Sequence, residues 1–461
     1  MNVGYARETV PSRTPLTPFA SRLRKLDAKE QKDAHNGTVE VVPLAAEDQA
    51  ILELESSTVV GHTCKVILLG ADAPDVPALR ARVADRIGST PALTRRLAET
   101  PDGWAWVPDD DFDVDRHVVA VPGVLARGPE LRREVARLFA ERLDRAHPLW
   151  RMDAVALDDG GAAIVWRVHH ALADGTTLVR FAQTLLLDEF SASATLSGMH
   201  RHTQPGHAAS PHADDARRRH HLVGFLGREF ARSRDSSPFD GHIGTRREVA
   251  FASTSLSELH RAAKTLCGAT LNDAVLTAVA GGLRRWVRQH HGHLGVVRVK
   301  VPVSLHHEGD DVANRDSFFT VGLPLNESDP VARLRATKEA TSVRKGDDDA
   351  ETMDALLRHL AGVSPALEKL CTRIEQSPRA FAVNVSNVPG PRVAVTLLGS
   401  PVEALYSLAE IGERHALRVA VVSLDDTISF GICADPALVQ DLQTMADGIE
   451  TESEALTAAA G

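Results

Sequence analysis

Ala162-Ala163-Ile164-Val165-Trp166-Arg167-Val168-His169-His170-Ala171-Leu172-Ala173-Asp174-Gly175 changes character twice within one short stretch. Its first seven residues are mostly apolar and partly β-branched, and Gly160-Gly161 precedes them, so they predict a strand. From Thr176 to Phe190 the period is helical, with Leu178, Phe181, Leu185 and Leu186 on one face. Asp174 then falls at the N-cap of that helix, where a short side-chain oxygen can take a free backbone N–H. Two histidines therefore leave the end of a strand and enter a tight loop. Gly175 lets backbone come close to them. Asp174 can cap the helix or pair with an arginine, and either would lock the loop. Side chains alternate across a strand, so only one of His169 and His170 can face a cleft while the other points into the protein body. A neutral imidazole in such a place suits a general base, since its unperturbed pKa is about 6.5. The residues alone leave open which histidine acts and on what.

A bare His-His pair carries no signal in this chain, because pairs also occur at His220-His221, His290-His291 and His306-His307. None of those is followed by Asp-Gly at the same spacing. The full His-His-x-x-x-Asp-Gly pattern arises by chance on the order of once in a hundred chains of this size, and its place at a strand-to-helix junction favours the functional reading. Further along, Asn272-Asp273 opens a helix, and Asp273 or Thr270 fits its N-cap. Asn387-Val388-Pro389-Gly390-Pro391 reads equally as an ordinary turn and as a segment whose backbone N–H groups hold a ligand.

The chain has 461 residues, 43% of them apolar, which suffices for two or three packed domains. Its net charge of −10 and the lack of a basic domain argue against nucleic acid as a partner. Cys64, Cys267, Cys371 and Cys433 lack metal-ligand spacing and suit a reducing cytoplasm. The histidines at 200, 202, 207, 212, 220 and 221 form no compact ligand unit, so no metal is expected. No apolar run reaches the ~20 residues of a membrane span. Residues 1–40 read as a disordered extension and 191–243 as a crossover linker with a short helix at 222–230. Ordered segments are expected at 41–190 and 244–461. Helices are expected over 77–99, ending in a basic turn, over 129–146 and over 269–289, and strands at 296–303, 380–386, 417–423 and 427–433. Gly346-Asp347-Asp348-Asp349 reads as a solvated loop. Strands and helices alternate in both halves, so the fold class is α/β or α+β. Gly-x-Ser-x-Gly, P-loop and dinucleotide fingerprints are all missing.

The histidine loop resembles the signature of acyltransferases that include chloramphenicol acetyltransferase and peptide-synthetase condensation domains. Leu143-Asp144-Arg145, Pro148-Leu149-Trp150, Asn272-Asp273, Pro302-Val303-Ser304 with Asn314, and Ser386-Asn387-Val388-Pro389-Gly390-Pro391 follow in an order that resembles the bacterial wax ester synthase/diacylglycerol acyltransferase family. The resemblance spans about Leu44 to Leu442. It implies two chloramphenicol-acetyltransferase-like domains with mixed sheets flanked by helices, and an active-site tunnel at their interface. It selects His170 as base, with His169 and Asp174 supporting the loop, and brings Asn272, Ser386, Asn387 and Gly390 to the site as substrate-binding residues. It implies acyl-CoA as co-substrate rather than a bound cofactor, and a hydrophobic alcohol, diacylglycerol or a long-chain alcohol, as acceptor. Such substrates would bring a cytoplasmic protein to a membrane or lipid-droplet surface from the water side. Two relatives of this chemistry stay in view, the first of them favoured by the long extension and an aromatic content of only 4%. One is acylation of a specialised metabolite, and the other is condensation on carrier-protein thioesters.

Overall fold

The computed structural model describes residues 40–101, 103–188, 237–292, 295–304, 316–346 and 381–461. In chain order these hold β1 (Val42–Pro43), α1 (Ala46–Glu53), β2 (His62–Leu69), α2 (Val76–Arg86), β3 (Arg95–Thr100), β4 (Gly103–Pro108), β5 (Val118–Leu125), α3 (Pro129–Ala140), β6 (Trp150–Leu157), β7 (Ala162–His169) and α4 (Gly175–Leu185). There follow β8 (Glu248–Ser255), α5 (Leu256–Cys267), α6 (Leu271–His290), β9 (Val296–Ser304), β10 (Asp316–Pro324), α7 (Pro330–Gly346), β11 (Val383–Val388), β12 (Thr396–Leu397), β13 (Ser400–Ala409), β14 (Leu417–Leu424), β15 (Thr427–Ala434) and α8 (Leu442–Ala459).

Two six-stranded sheets carry the structure. One runs β12-β13-β2-β7-β6-β5, the other β10-β9-β11-β14-β15-β8. Both are mixed: β5 lies parallel to β6, β11 lies parallel to β9 and β14, and the other pairs are antiparallel. The sheets do not divide the chain at residue 244. β12 and β13 come from the second half and pair with β2 of the first. They cover an edge of β2 that would otherwise expose unpaired backbone groups. From Val42 to Gly461 the chain packs as one unit. Its largest core joins Cys64, Val66 and Val165 of one sheet to Val249, Val299 and Val419 of the other.

Three expected helix ends move, and the strand expected at 380–386 runs from Val383 to Val388. The helix expected over 77–99 ends at Arg86, and Arg95 and Arg96 lie in β3 instead of a turn. Pro91 cannot continue an α-helix, and Arg95 to Thr100 pair with Gly103 to Pro108. The helix expected to reach 146 ends at Ala140, and Leu143 packs beside Leu52, Trp106 and Leu149. The helix expected to reach Phe190 ends at Leu185. Asp188 binds the amides of Leu398 and Gly399 and the hydroxyl of Thr396, tying this end of the chain to the β12–β13 turn. The short helix at 222–230, Asn314 and Asp347 to Asp349 lie outside the described residues, as do most of the expected linker and nearly all of the expected N-terminal extension.

Candidate active site

β7 is an inner strand of the first sheet, and its last residue is His169. The two histidine amides bond to opposite neighbours: His169 N–H donates to the Leu149 carbonyl (2.9 Å) and His170 N–H to the Gly61 carbonyl (2.9 Å). The loop is thus held between the starts of β6 and β2. Asp174 caps α4, accepting from the Thr177 amide at 2.6 Å. The cap, one of the two roles expected for Asp174, is the one its side chain takes.

His169 is the inward histidine. Its Nδ1 accepts from the Ala171 amide (3.1 Å), so its Nε2 carries the ring proton and donates to Glu55 Oε1 (2.8 Å). Arg142 and Arg145 grip the same carboxylate, at 2.9 and 2.6 Å. Burial alone would raise the Glu55 carboxyl, but the hydrogen bonds from His169 and Arg145 outweigh it and hold it below its usual range. Gly61 borders the same ring. Its φ is +73°, and a Cβ there would lie 2.6 Å from His169 Nε2, so a side chain is excluded on both counts.

His170 is half-buried, and its Nδ1 is enclosed without a well-formed hydrogen bond among the described residues. Burial lowers its pKa to about 4, and the Arg418 charge pushes in the same direction. Asp174 and the residue's own backbone carbonyl oppose the shift without cancelling it. The ring is therefore neutral throughout the physiological range.

The second sheet meets the loop directly. A Cβ on Gly175 would stand 3.0 Å from Val388 Cγ2. Val388 ends β11, and alternation puts Ser386 and Asn384 on its face. Asn387 points the other way, is exposed, and donates to Asn272 Oδ1 at 3.5 Å. Asn272 lies within the capping box built by Thr270 and Asp273, so the cap and the asparagine coexist. Gly390 is buried, and its amide donates to Ser423 Oγ at 3.1 Å, which occupies the N–H expected to serve a ligand. Ser386 and Asn387 are thus neighbours in sequence on opposite faces. Sequence reading passed over Glu55, Arg142 and Arg418. Only Arg145 carried a signal, as the last residue of Leu143-Asp144-Arg145.

Beneath α4 an apolar cleft is lined by Ile67, Val179, Leu187, Val402 and Leu405. Lys65 also borders it, fully buried, donating to Ser407 Oγ at 2.8 Å, with its pKa lowered to about 8 by burial. Among the described residues no three His, Cys, Asp or Glu side chains group as metal ligands.

A model of the wax ester synthase/diacylglycerol acyltransferase catalytic domain matches residues 44–228, and one of the WS/DGAT C-terminal domain matches residues 312–457. The chain belongs to the WS/DGAT family. It is an acyltransferase. A putative diacylglycerol O-acyltransferase of Mycobacterium tuberculosis (strain CDC 1551 / Oshkosh) is 28% identical, over 88% of this chain and 88% of its own. The wax ester synthase/diacylglycerol acyltransferase of Marinobacter aquaeolei VT8 superposes with a TM-score of 0.65 at 24% identity, covering 91% of this chain and all of that one. The first condensation domain of the CDA synthetase shares the fold at a TM-score of 0.54 and 15% identity, covering 92% of this chain and 97% of its own. In this WS/DGAT chain the expected two-sheet α/β architecture is present, and the histidine loop lies within the catalytic-domain match.

Proposed function

We propose that this WS/DGAT chain moves a long-chain acyl group from acyl-CoA to the hydroxyl of a hydrophobic alcohol, diacylglycerol or a long-chain alcohol, with His170 as general base. The products would be triacylglycerol or wax ester. The observation that carries this reading is the state of His170: a neutral, half-buried ring on a rigid loop that touches the opposing sheet. A thioester carbonyl is already activated, whereas the acceptor hydroxyl is not, so a base has to take its proton as it attacks. His170 Nδ1 is enclosed, which leaves Nε2 as the basic atom in this reading. A well-placed base contributes about 10²–10⁴-fold, and holding both substrates together supplies much of the rest.

His169 and Asp174 then serve the loop rather than the substrate. Ser386 is the second-half residue best placed to meet the reacting groups, since its strand face is the one that approaches Gly175. Asn272 and Asn387 would act together, through their mutual hydrogen bond. The proton taken from the acceptor returns to the departing CoA thiolate, so acyl-CoA is a co-substrate and the balance closes without a further cofactor. No single helix among the described residues is long and apolar enough to cross a membrane. The protein would meet its lipids at a membrane or droplet surface.

Purified protein with palmitoyl-CoA and either hexadecanol or dioleoylglycerol is expected to release free CoA thiol. His170→Ala should reduce that release by about 10²–10⁴-fold with an unchanged unfolding midpoint. A folded His170→Ala protein of full activity would remove His170 from the role of base.

A further inference from the structure

The second sheet places a cation opposite the histidine loop. Arg418 on β14 pairs in register with Asn384 on β11, in a parallel ladder that continues through Ser386 with Ala420 and Val388 with Val422. Partners in such a ladder share a face, so Arg418 and Asn384 lie on the face whose end meets Gly175 through Val388. Arg418 is fixed at one end of the first sheet as well. Its Nη1 donates to the Glu410 carbonyl at 2.9 Å. Glu410 directly follows Ala409, which pairs with Thr63, and His62 pairs with His169. Arg418 therefore reaches the same end of the sheet at which His170 emerges, two strand spacings, about 10 Å, across.

Three polar atoms of these side chains are enclosed without hydrogen-bond partners among the described residues: Arg418 Nε, Asn384 Oδ1 and His170 Nδ1. Burying a guanidinium N–H unpaired is costly, and such a group persists where something else uses it. The local charge is not neutralised. The Glu410 carboxylate already binds Arg247, Oε1 to Nε at 2.9 Å, and Arg418 takes only the Glu410 backbone carbonyl. Both Arg418 and His170 are half-buried.

We propose that Arg418 is a catalytic residue that stabilises the oxyanion formed during acyl transfer. This role rests on His170 acting as base. The acceptor oxygen bonds to the thioester carbonyl carbon while its proton passes to His170 Nε2. The carbonyl π pair moves onto oxygen, and Arg418 Nε–H donates to the resulting oxyanion. Return of that pair reforms the carbonyl and breaks the carbon–sulfur bond, and the thiolate takes the proton back from His170. A fixed cation facing the developing charge, away from bulk water, acts far more strongly than it would in solvent.

The test compares wild type, His170→Ala, Arg418→Met, Arg418→Ala and Arg418→Lys as full chains, with palmitoyl-CoA and hexadecanol, reading thiol release. Arg418→Met is expected to lose about 10²–10³-fold in kcat, with KM for palmitoyl-CoA changed by less than about three-fold. Guanidinium ion should restore part of kcat to Arg418→Ala and none to His170→Ala. If Arg418→Met does not fold, Arg418→Lys, which keeps the charge beside Glu410, decides. A kcat loss of about ten-fold or more supports the role, and an unchanged kcat ends it. Wild-type kcat in Arg418→Met, or a loss confined to KM, overturns the proposal while a dead His170→Ala leaves the base in place. Full activity in His170→Ala would bring down the base and this role together.

Discussion

Glu55 shows how a side chain outside the motif governs it. Its carboxylate takes the Nε2 proton of His169 and is held by Arg142 and Arg145. That fixes the tautomer of His169, keeps Nδ1 as acceptor for the Ala171 amide, and so sets the turn that presents His170. Glu55→Ala leaves the His169 N–H unpaired and two arginines without their shared partner. A loosened loop is expected to lower kcat by about 10–100-fold, because small misplacement of a catalytic group is expensive. KM for acyl-CoA should hardly move. Glu55→Gln keeps the acceptor oxygen and should recover most of the rate. Equal kcat in wild type and a folded Glu55→Ala would show that His169 holds the turn unaided. The histidines were legible in the sequence because strand, cap and helix signals surround them within a few residues. Glu55 was not, since 114 residues separate it from His169 and nothing local marks a carboxylate as a partner. Leu143-Asp144-Arg145 and Pro148-Leu149-Trp150 were visible only as marks of resemblance. Arg145 on Glu55 and the Leu149 carbonyl on the His169 amide give them physical roles.

Elements with their own periodicity were readable, and elements defined by distant partners were not. α6 runs from Leu271 to His290, close to its expected bounds, and its N-cap was expected at Thr270 or Asp273, which together build a capping box. β13 went unseen. Its place beside β2 depends on a strand more than 300 residues away in the chain, and no local pattern specifies that pairing. Its arrival puts Glu410, and through it Arg418, beside the first half of the site. α6 also presents Asn272 to Asn387, so its first turn matters for more than stability. Thr270→Ala removes the side-chain acceptor for the Asp273 amide. The loss is expected to be about 1 kcal/mol, seen as a lower urea midpoint with an unchanged m-value. Thr270→Ser, which keeps the oxygen, should fall within a few tenths of wild type, and equal losses in the two variants would assign the effect to packing of the threonine methyl.

Acid sensitivity belongs to the whole molecule, because several enclosed histidines and carboxylates pull in opposite directions. Burial lowers His62 to about 3 and both His170 and His415 to about 4, and it lowers His117 as well. Each of these rings is neutral when folded at a pH where the unfolded chain would charge it. Its contribution is complete above about pH 6.5 and is lost as pH falls toward the folded value, at about 1.4 kcal/mol per pH unit. Asp240, raised to about 6 by burial, and Glu410 and Glu452, also raised by burial, have the opposite sign. They bind protons more readily when folded and so offset part of the loss on acidification. The net slope is therefore a difference, and one ring has to be isolated to read it. His415 stacks on Phe381 at 4.2 Å, and its Nε2 is enclosed without a partner among the described residues. His415→Phe keeps the stacking surface and removes the titration. From pH 6.5 down to about 4.5, wild type should lose stability relative to His415→Phe by about 1.4 kcal/mol per pH unit, and the two curves should run parallel above pH 7. Parallel curves over the whole range would mean that this ring charges as easily folded as unfolded. His170 obeys the same sign, so the limb of kcat/KM that reports its protonation should lie near pH 4, well below the 6.5 of a free imidazole, and an inflection at 6.5 in a fully folded enzyme would place the ring in open water instead of against the second sheet.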